Sequence, residues 1–201
     1  MSAFLGPIHF WLYNKIKIQN DVVERIILLS ESNNLNIRNK VYELYGDGEL
    51  LPLDDVIDVT NIHGWLQERV SIVENKLTYV VTELLKENPS YIDKLKKIFY
   101  DKGLEVSELN TKSSINDAFK AVNDTLLDGM PCDHANVLLS QDDNEIIWRR
   151  EKCVHQNYWD DNGGDINIYY LLRDEFIKGL LANTNVIYQK TDEITSRIYR
   201  R

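Results

Sequence analysis

Apolar residues recur at helical spacing over most of the first 130 positions. The most regular stretch follows Pro52, where spacings of four and three residues alternate between Leu66, Val70, Val73, Leu77, Val80 and Leu84. This spacing predicts one long helix over about 53–86. Its inward face, extended backwards, would include His63, Val59 and Val56. Asn88-Pro89 should end the helix, because a proline disfavours helical geometry in the residue before it.

Further helices are predicted on both sides of this one. Pro7 suits the first turn of a helix over about 7–30, and two adjacent apolar stripes favour a central position for that helix. Shorter helices are predicted over about 37–45, 91–102 and 115–127. Gly46-Asp47-Gly48 should form a turn, Gly103 should end the helix over 91–102, and Ser114 should cap the helix over 115–127.

The pattern changes after Gly129. Residues 135–140 and 145–155 are typical of strands, with a tight turn over 141–144 between them. A helix over 166–181 should follow, and residues 185–201 are expected to be partly helical. The sequence therefore predicts a mainly α (α+β) fold, a multi-helix bundle with a small β-hairpin near the C-terminal third.

This pattern also predicts the organisation of the chain. Residues 1–128 would form the helical bundle, residues 129–164 a hairpin insertion that carries Cys and His, and residues 165–201 C-terminal helices that pack on the bundle. We expect these parts to form a single compact domain.

Composition and charge narrow the function classes. The chain has 201 residues, 43% of them hydrophobic and 27% charged, which is enough for a full core. A formal net charge of −9 argues against nucleic acid or an acidic membrane surface as a partner. The N-terminal residues lack the basic region of a signal peptide, and no apolar stretch approaches the roughly 18 residues of a membrane span. We expect a cytoplasmic protein with reduced cysteines.

Both cysteines and half of the histidines lie within 24 residues, in Cys132-Asp133-His134 and Cys153-Val154-His155. Strand side chains alternate between faces, so the Cys and His of each tripeptide would share a face. A two-residue loop at 142–143 would place Cys132 opposite Cys153. A loop at 143–144 would place Cys132 opposite His155, whereas a three-residue loop would separate the tripeptides onto opposite faces.

Two thiols and two imidazoles suit a tetrahedral zinc ion. The Cys-x-His spacing differs from that of common zinc sites, so all four side chains would reach one ion only if a bend or bulge brought them together. The first hypothesis is a metal- or metal-cofactor-binding protein, with zinc or iron held by Cys132, His134, Cys153 and His155. Haem bound through one histidine stays open. In an enzyme, water or substrate would replace one ligand. Thiol chemistry and plain packing are the alternatives.

The other two histidines each precede a tryptophan, in His9-Phe10-Trp11 and His63-Gly64-Trp65, near the starts of the two long helices. Either histidine alone is typical of a core residue. Together with the hairpin histidines, Tyr158 and Trp159, they indicate an aromatic pocket at one end of the bundle, covered by the hairpin. This pocket requires the first and third helices to be parallel. It supports a second hypothesis, a metal-free protein that binds or senses a small molecule, and a third is a homo-oligomeric structural protein.

Several familiar sites are absent from the sequence. No histidine has a glutamate three positions before it, as di-iron bundles require, and the common phosphate-binding, dinucleotide-binding and metalloprotease motifs are missing. The remaining acidic residues of the long helix are expected on its solvated face: Glu68, Glu74, Glu83 and Glu87.

Overall fold

The structure, a computed structural model, describes residues 4–47 and 50–201. Within these residues the chain forms eight α-helices and one four-stranded antiparallel sheet, which confirms the mainly α (α+β) fold class. The helices are α1 Pro7–Ser32, α2 Ile37–Tyr45, α3 Leu53–Val56, α4 Ile62–Glu87, α5 Ile92–Glu105, α6 Ile115–Thr125, α7 Gln156–Asp161 and α8 Ile166–Leu180. The strands are β1 Asn136–Gln141, β2 Glu145–Arg150, β3 Val186–Lys190 and β4 Thr195–Arg200, and short 3-10 turns span Pro89–Tyr91 and Pro131–Asp133.

The chain divides into two compact units. Unit 1 comprises Met1–Ile92 and His155–Asp165, and unit 2 comprises Asp93–Val154 and Ile166–Arg201. These boundaries differ from the predicted division into 1–128, 129–164 and 165–201. Two features explain the difference: α7 belongs with the first helices, and the C-terminal residues complete the sheet of unit 2.

Unit 1 is organised around α1 and α4, which lie parallel. The His9 and His63 rings are 5.7 Å apart near the two helix starts, and Gln19 Nε2 donates to Glu74 Oε1 at 3.0 Å further along both helices. The predicted apolar face of α4 is confirmed, since all six of its leucine and valine positions are buried: Leu66, Val70, Val73, Leu77, Val80 and Leu84.

The predicted helix over 53–86 is interrupted at residues 57–61. The Asp58 carboxylate accepts hydrogen bonds from the backbone and hydroxyl of Thr60, and the Asn61 side chain accepts one from the Gly64 backbone N–H and so caps α4. Val59, placed on the inward face by the sequence pattern, is 66% exposed. Of the predicted Gly46-Asp47-Gly48 turn, Gly48 lies outside the described residues, and Gly46 follows α2 with φ of 81°.

The strand predicted over 145–155 ends at Arg150, and residues 156–161 form a helix, α7, instead. Tyr158 of α7 is hydrogen-bonded through its hydroxyl to Ser71 of α4 at 3.0 Å. The Asn162 amide, just after α7, donates to Asn75 Oδ1 at 3.1 Å. These bonds fix α7 along the middle of α4 within unit 1.

Unit 2 contains the sheet, with strand order β1-β2-β4-β3. The prediction that residues 185–201 are partly helical is wrong, because they form β3 and β4. The Asp192 carboxylate accepts from the backbone N–H groups of Ile194 and Thr195 and so holds the turn between the two strands. Ile198 of β4 is fully buried, as its position in a central strand requires.

Helices α5 and α8 of unit 2 approach each other closely at two glycines. A Cβ atom at Gly103 would lie 2.1 Å from the Phe176 carbonyl oxygen, and one at Gly179 would lie 2.0 Å from that of Tyr100. Gly103 was predicted to end a helix, but it lies inside α5 and allows this contact. In the described part of the chain, no helix is long and apolar enough to span a membrane.

Candidate functional site

The four predicted metal ligands lie outside the paired residues of the hairpin. Pairing begins with Gln141 opposite Ile146, shifts by one residue at a bulge between Leu138 and Ser140, and ends with Asn136 opposite Arg150. Cys132 belongs to the 3-10 turn Pro131–Asp133, and His134 has a left-handed backbone with φ of 49°. The predicted strand alternation of the two tripeptides is therefore wrong, because neither tripeptide is in a strand.

The surroundings of these four side chains differ. Cys132 and His134 are exposed, and both cysteines are free thiols. Cys153 is half-buried, and its Sγ accepts a hydrogen bond from the Tyr170 hydroxyl at 3.1 Å. Burial, with a smaller contribution from Cys153, raises the pKa of Tyr170. No group of three or more His, Cys, Asp or Glu side chains among residues 4–47 and 50–201 is arranged to hold a metal ion. Metal binding through these residues stays a prediction.

His155, the fourth predicted ligand, belongs to unit 1, where it pairs with Glu74. His155 Nδ1 lies 2.9 Å from Glu74 Oε2, and each side chain is 2% exposed. Glu74 Oε1 accepts from Gln19, so both carboxylate oxygens have partners. When a carboxylate in such a contact is ionised it can only accept, and the shared proton then lies on the imidazole nitrogen.

The expectation that Glu74 lies on a solvated face is wrong. Thr78 and Val81, four and seven residues later, are also fully buried, so α4 has a second inward face that includes Glu74. The spacing of Thr78 and Val81 was a signal for this face, and sequence reasoning missed it. A carboxylate that holds an imidazole proton can orient a catalytic or metal-bound histidine. Here, with both groups in the core, the pair joins α4 to the start of α7.

A second group of side chains lies where α1 and α4 begin, and we call it the end cluster: His9, Tyr13, His63, Trp65 and Arg69. The His9 and His63 rings meet edge to face at 5.7 Å, and the Tyr13 and Trp65 ring centres are 5.9 Å apart. The Arg69 guanidinium carbon lies 5.0 Å from the centre of the Trp65 ring. The structure thus brings His9 and His63 together and meets the requirement for parallel helices.

His9 is buried, with 4% of its surface exposed. Its Nδ1 accepts a hydrogen bond from the Gly6 backbone N–H at 2.8 Å, just before α1 begins. A backbone N–H can only donate, so Nδ1 keeps its lone pair and the proton of the neutral ring is on Nε2. Among the described residues, no group accepts a hydrogen bond from this buried Nε2. His9 therefore presents an unsatisfied N–H donor.

The end cluster combines the Arg69 guanidinium with the starts of two helices. Arg69 donates from Nη2 to Glu68 at 3.0 Å, while its buried Nε has no acceptor within the part of the chain that the structure describes. Burial raises the pKa of Tyr13, and the charge of Arg69 opposes that shift. Both helices start here, and their first turns, described in full, contain no Asp or Glu. The positive ends of two helix dipoles therefore meet at this cluster.

The remaining predicted pocket residues lie elsewhere in unit 1. Trp11 has the Lys15 ammonium 3.4 Å above its ring. Tyr158 contacts Ser71, eight residues after His63 and so about 12 Å further along α4. Trp159 is buried. A Cβ atom at Gly164 would lie 2.8 Å from the Trp159 ring. The residues predicted for one aromatic pocket thus lie in different parts of unit 1, and the end cluster contains two of the imidazoles together with Trp65.

Comparison of the chain with protein-family models, curated proteins and solved structures gives no match. A functional assignment therefore rests on the geometry and chemistry of the described residues.

Proposed function

We propose that this protein binds a small molecule at the end cluster, as a metal-free ligand-binding or sensory bundle. The observation that carries the proposal is the Nε2–H of His9, a buried donor without an acceptor in the described chain. Leaving such a donor unsatisfied costs about 1–3 kcal/mol. Buried donors in folded proteins are nearly always satisfied by the protein, by an ordered water or by a ligand. A bound ligand with an acceptor atom would remove this cost.

The neighbouring side chains provide a route to this donor. His63 is exposed, and its ring lies edge to face with that of the buried His9 at 5.7 Å. Exposed side chains change rotamer in picoseconds to nanoseconds. A ligand that displaces His63 would approach His9, and the half-buried Trp65 ring, which packs on Tyr13, would offer apolar surface in the same cluster.

A purely structural role for His9 accounts for the hydrogen bond at Nδ1 but not for the N–H at Nε2. The bond from Gly6 to Nδ1 stabilises the start of α1. The edge-to-face contact with His63 could receive the Nε2–H as a weak N–H···π bond, which contributes less than an oxygen acceptor does. These contacts leave the strongest hydrogen-bonding capacity of Nε2 unused.

Ligand binding can be tested with three small probes of one shape, benzoate, benzamide and benzylamine, followed by NMR of the histidine side chains. We expect at least one probe to shift the His9 and His63 resonances and to quench the fluorescence of Trp65. His9→Asn is the matched variant, because its amide oxygen can still accept from Gly6 while the Nε2 donor is lost. The proposal fails if no probe perturbs these residues, or if the variant responds as the wild-type protein does.

A further inference from the structure

We infer that the group recognised at the end cluster is an oxyanion, a carboxylate or phosphate carried by a small ligand. The inference rests on the proposed function of this site and adds the chemical class of the ligand. It depends on three independent features of the cluster: the tautomer of His9, the state of Arg69, and the direction of α1 and α4.

The His9 tautomer selects an acceptor and disfavours a metal ion. A metal ion needs the lone pair of Nε2, but that nitrogen carries the proton as long as Nδ1 accepts from Gly6. Moving the proton to Nδ1 would bring two N–H groups face to face at a distance of 2.8 Å. The ligand atom that meets Nε2 is therefore a hydrogen-bond acceptor.

Arg69 and the helix starts select a negatively charged acceptor. A guanidinium only donates hydrogen bonds; that of Arg69 donates from Nη2 to Glu68 at 3.0 Å, and its buried Nε has no acceptor among the described residues. Backbone N–H groups at helix starts favour anions, and the helix dipoles add to this effect. The first turns of α1 and α4, both described in full, contain no acidic side chain; the carboxylates of Asp58, just before α4, and Glu68, in its second turn, have partners in Thr60 and Arg69.

The spacing of the cluster limits the size of the ligand. His9 and Tyr13 are four residues apart, or about 6 Å along α1, and Trp65 and Arg69 are separated in the same way along α4. A ligand about one helical turn in length could place its oxyanion at His9 or Arg69 and its apolar part against Trp65. Unit 1 has 16 of the 32 acidic residues but only 8 of the 23 Lys and Arg, so it should repel a polyanion.

The experiment compares probes that differ only in charge, using isothermal titration of the full chain. Benzoate or phenyl phosphate should bind at least about tenfold more tightly than benzamide or benzylamine, since hydrogen bonds to charged groups are the stronger ones. Competition by inorganic phosphate and by acetate then distinguishes the two sources of the oxyanion. The Nε2–H tautomer of His9 should persist in the 15N spectrum of the complex.

Matched variants test the named residues. His9→Asn and Arg69→Met should each weaken binding of the anionic probe by about tenfold or more. Glu68→Gln releases Arg69 from its carboxylate partner and should leave binding unchanged or make it tighter. His134→Asn changes an exposed histidine of unit 2 and should have no effect.

The outcomes separate the two proposals. If benzamide or benzylamine binds at the same residues as tightly as the anionic probes or more tightly, the ligand-binding proposal stands. The inference that the ligand carries an oxyanion is then wrong. If His9 loses its Nε2–H tautomer when the probe binds, the inference that the ligand carries an oxyanion is also wrong. If none of the probes perturbs His9 or His63, both proposals fall.

Discussion

Replacing Glu74 by alanine should lower the free energy of unfolding of unit 1 by about 1.5–3 kcal/mol, the usual contribution of a hydrogen bond to a charged group. The geometry supports this magnitude. Glu74 Oε2 lies 2.9 Å from His155 Nδ1, and Oε1 accepts from Gln19 at 3.0 Å. Hydrogen bonds to a charged group contribute about 1.5–3 kcal/mol each. The buried His155 would lose this partner inside the core, whereas the amide of the half-buried Gln19 could turn to solvent.

A matched substitution is available on the same helix. Glu83 forms an ion pair with Lys86 at 2.8 Å, but the two side chains are 32% and 58% exposed. Exposed pairs of this kind contribute about 0.3–0.5 kcal/mol. Glu83→Ala should therefore change the stability of unit 1 by less than about 1 kcal/mol, although it removes the same side chain from the same helix.

The assay is urea unfolding combined with hydrogen exchange of the α4 backbone amides, which reports unit 1 separately from unit 2. A double-mutant cycle of Glu74→Ala and His155→Ala should give a coupling energy of about 1.5–3 kcal/mol. The reasoning is refuted if Glu74→Ala costs no more than Glu83→Ala, or if the coupling is below about 0.5 kcal/mol.

Three further predictions concern unit 2 and the metal hypothesis. Gly179→Ala should destabilise unit 2 by about 1–3 kcal/mol, because the new Cβ would overlap the Tyr100 carbonyl oxygen; thermal unfolding checks this, and a gain from helix propensity would contradict it. Burial and the neighbouring Asp174 raise the pKa of Tyr188 above its usual 10.0. Above about pH 10 this tyrosine loses its proton in the unfolded chain but keeps it in the folded one, so the free energy of unfolding should fall as pH rises. The urea midpoint should therefore fall less steeply with pH in Tyr188→Phe than in the wild-type protein. If Cys153 binds metal, Cys153→Ser should lower the metal content found by elemental analysis, whereas equal content in both proteins would end that hypothesis.

Helices were predictable where one apolar face and a polar end signal agreed. The buried leucines and valines of α4 and the Ser114 cap of α6 are examples, since the Ser114 hydroxyl accepts from the Asp117 N–H as a helix cap should. The break at residues 57–61 was missed because apolar spacing alone continues across it. Local bonds of Asp58 and Asn61 end one helix and start the next there.

The sheet was harder to predict because its strands depend on partners distant in sequence. β4 pairs with both β2 and β3, and β2 lies about 50 residues earlier. Residues 186–188 and 195–199 are rich in β-branched and aromatic types on either side of the Asp192 turn. That composition was a usable strand signal.

The candidate metal site was predicted by extending strand geometry beyond the residues that actually pair in the hairpin. The predicted gathering of Cys132 and Cys153 assumed one register along the whole hairpin, whereas a bulge shifts the pairing by one residue and pairing ends at Arg150. The pocket hypothesis required His9 and His63 to be close, but the sequence did not predict that they are. Apolar periodicity identifies the inward face of a helix but not whether its neighbour is parallel.

The net charge of −9 does not prevent the end cluster from binding a small anion, because the electrostatic field at the cluster acts over a short distance. A Debye length of about 8–10 Å confines the field of the two helix starts and Arg69 to the end cluster, whereas a polymer with many phosphates would extend over the acidic surface of unit 1. The acidic composition should therefore reject nucleic acid and still admit a ligand with one or two negative charges. Because few counterions are released when such a ligand binds, its affinity should depend weakly on salt concentration. A steep dependence would instead indicate a partner with many negative charges, which the charge of unit 1 argues against.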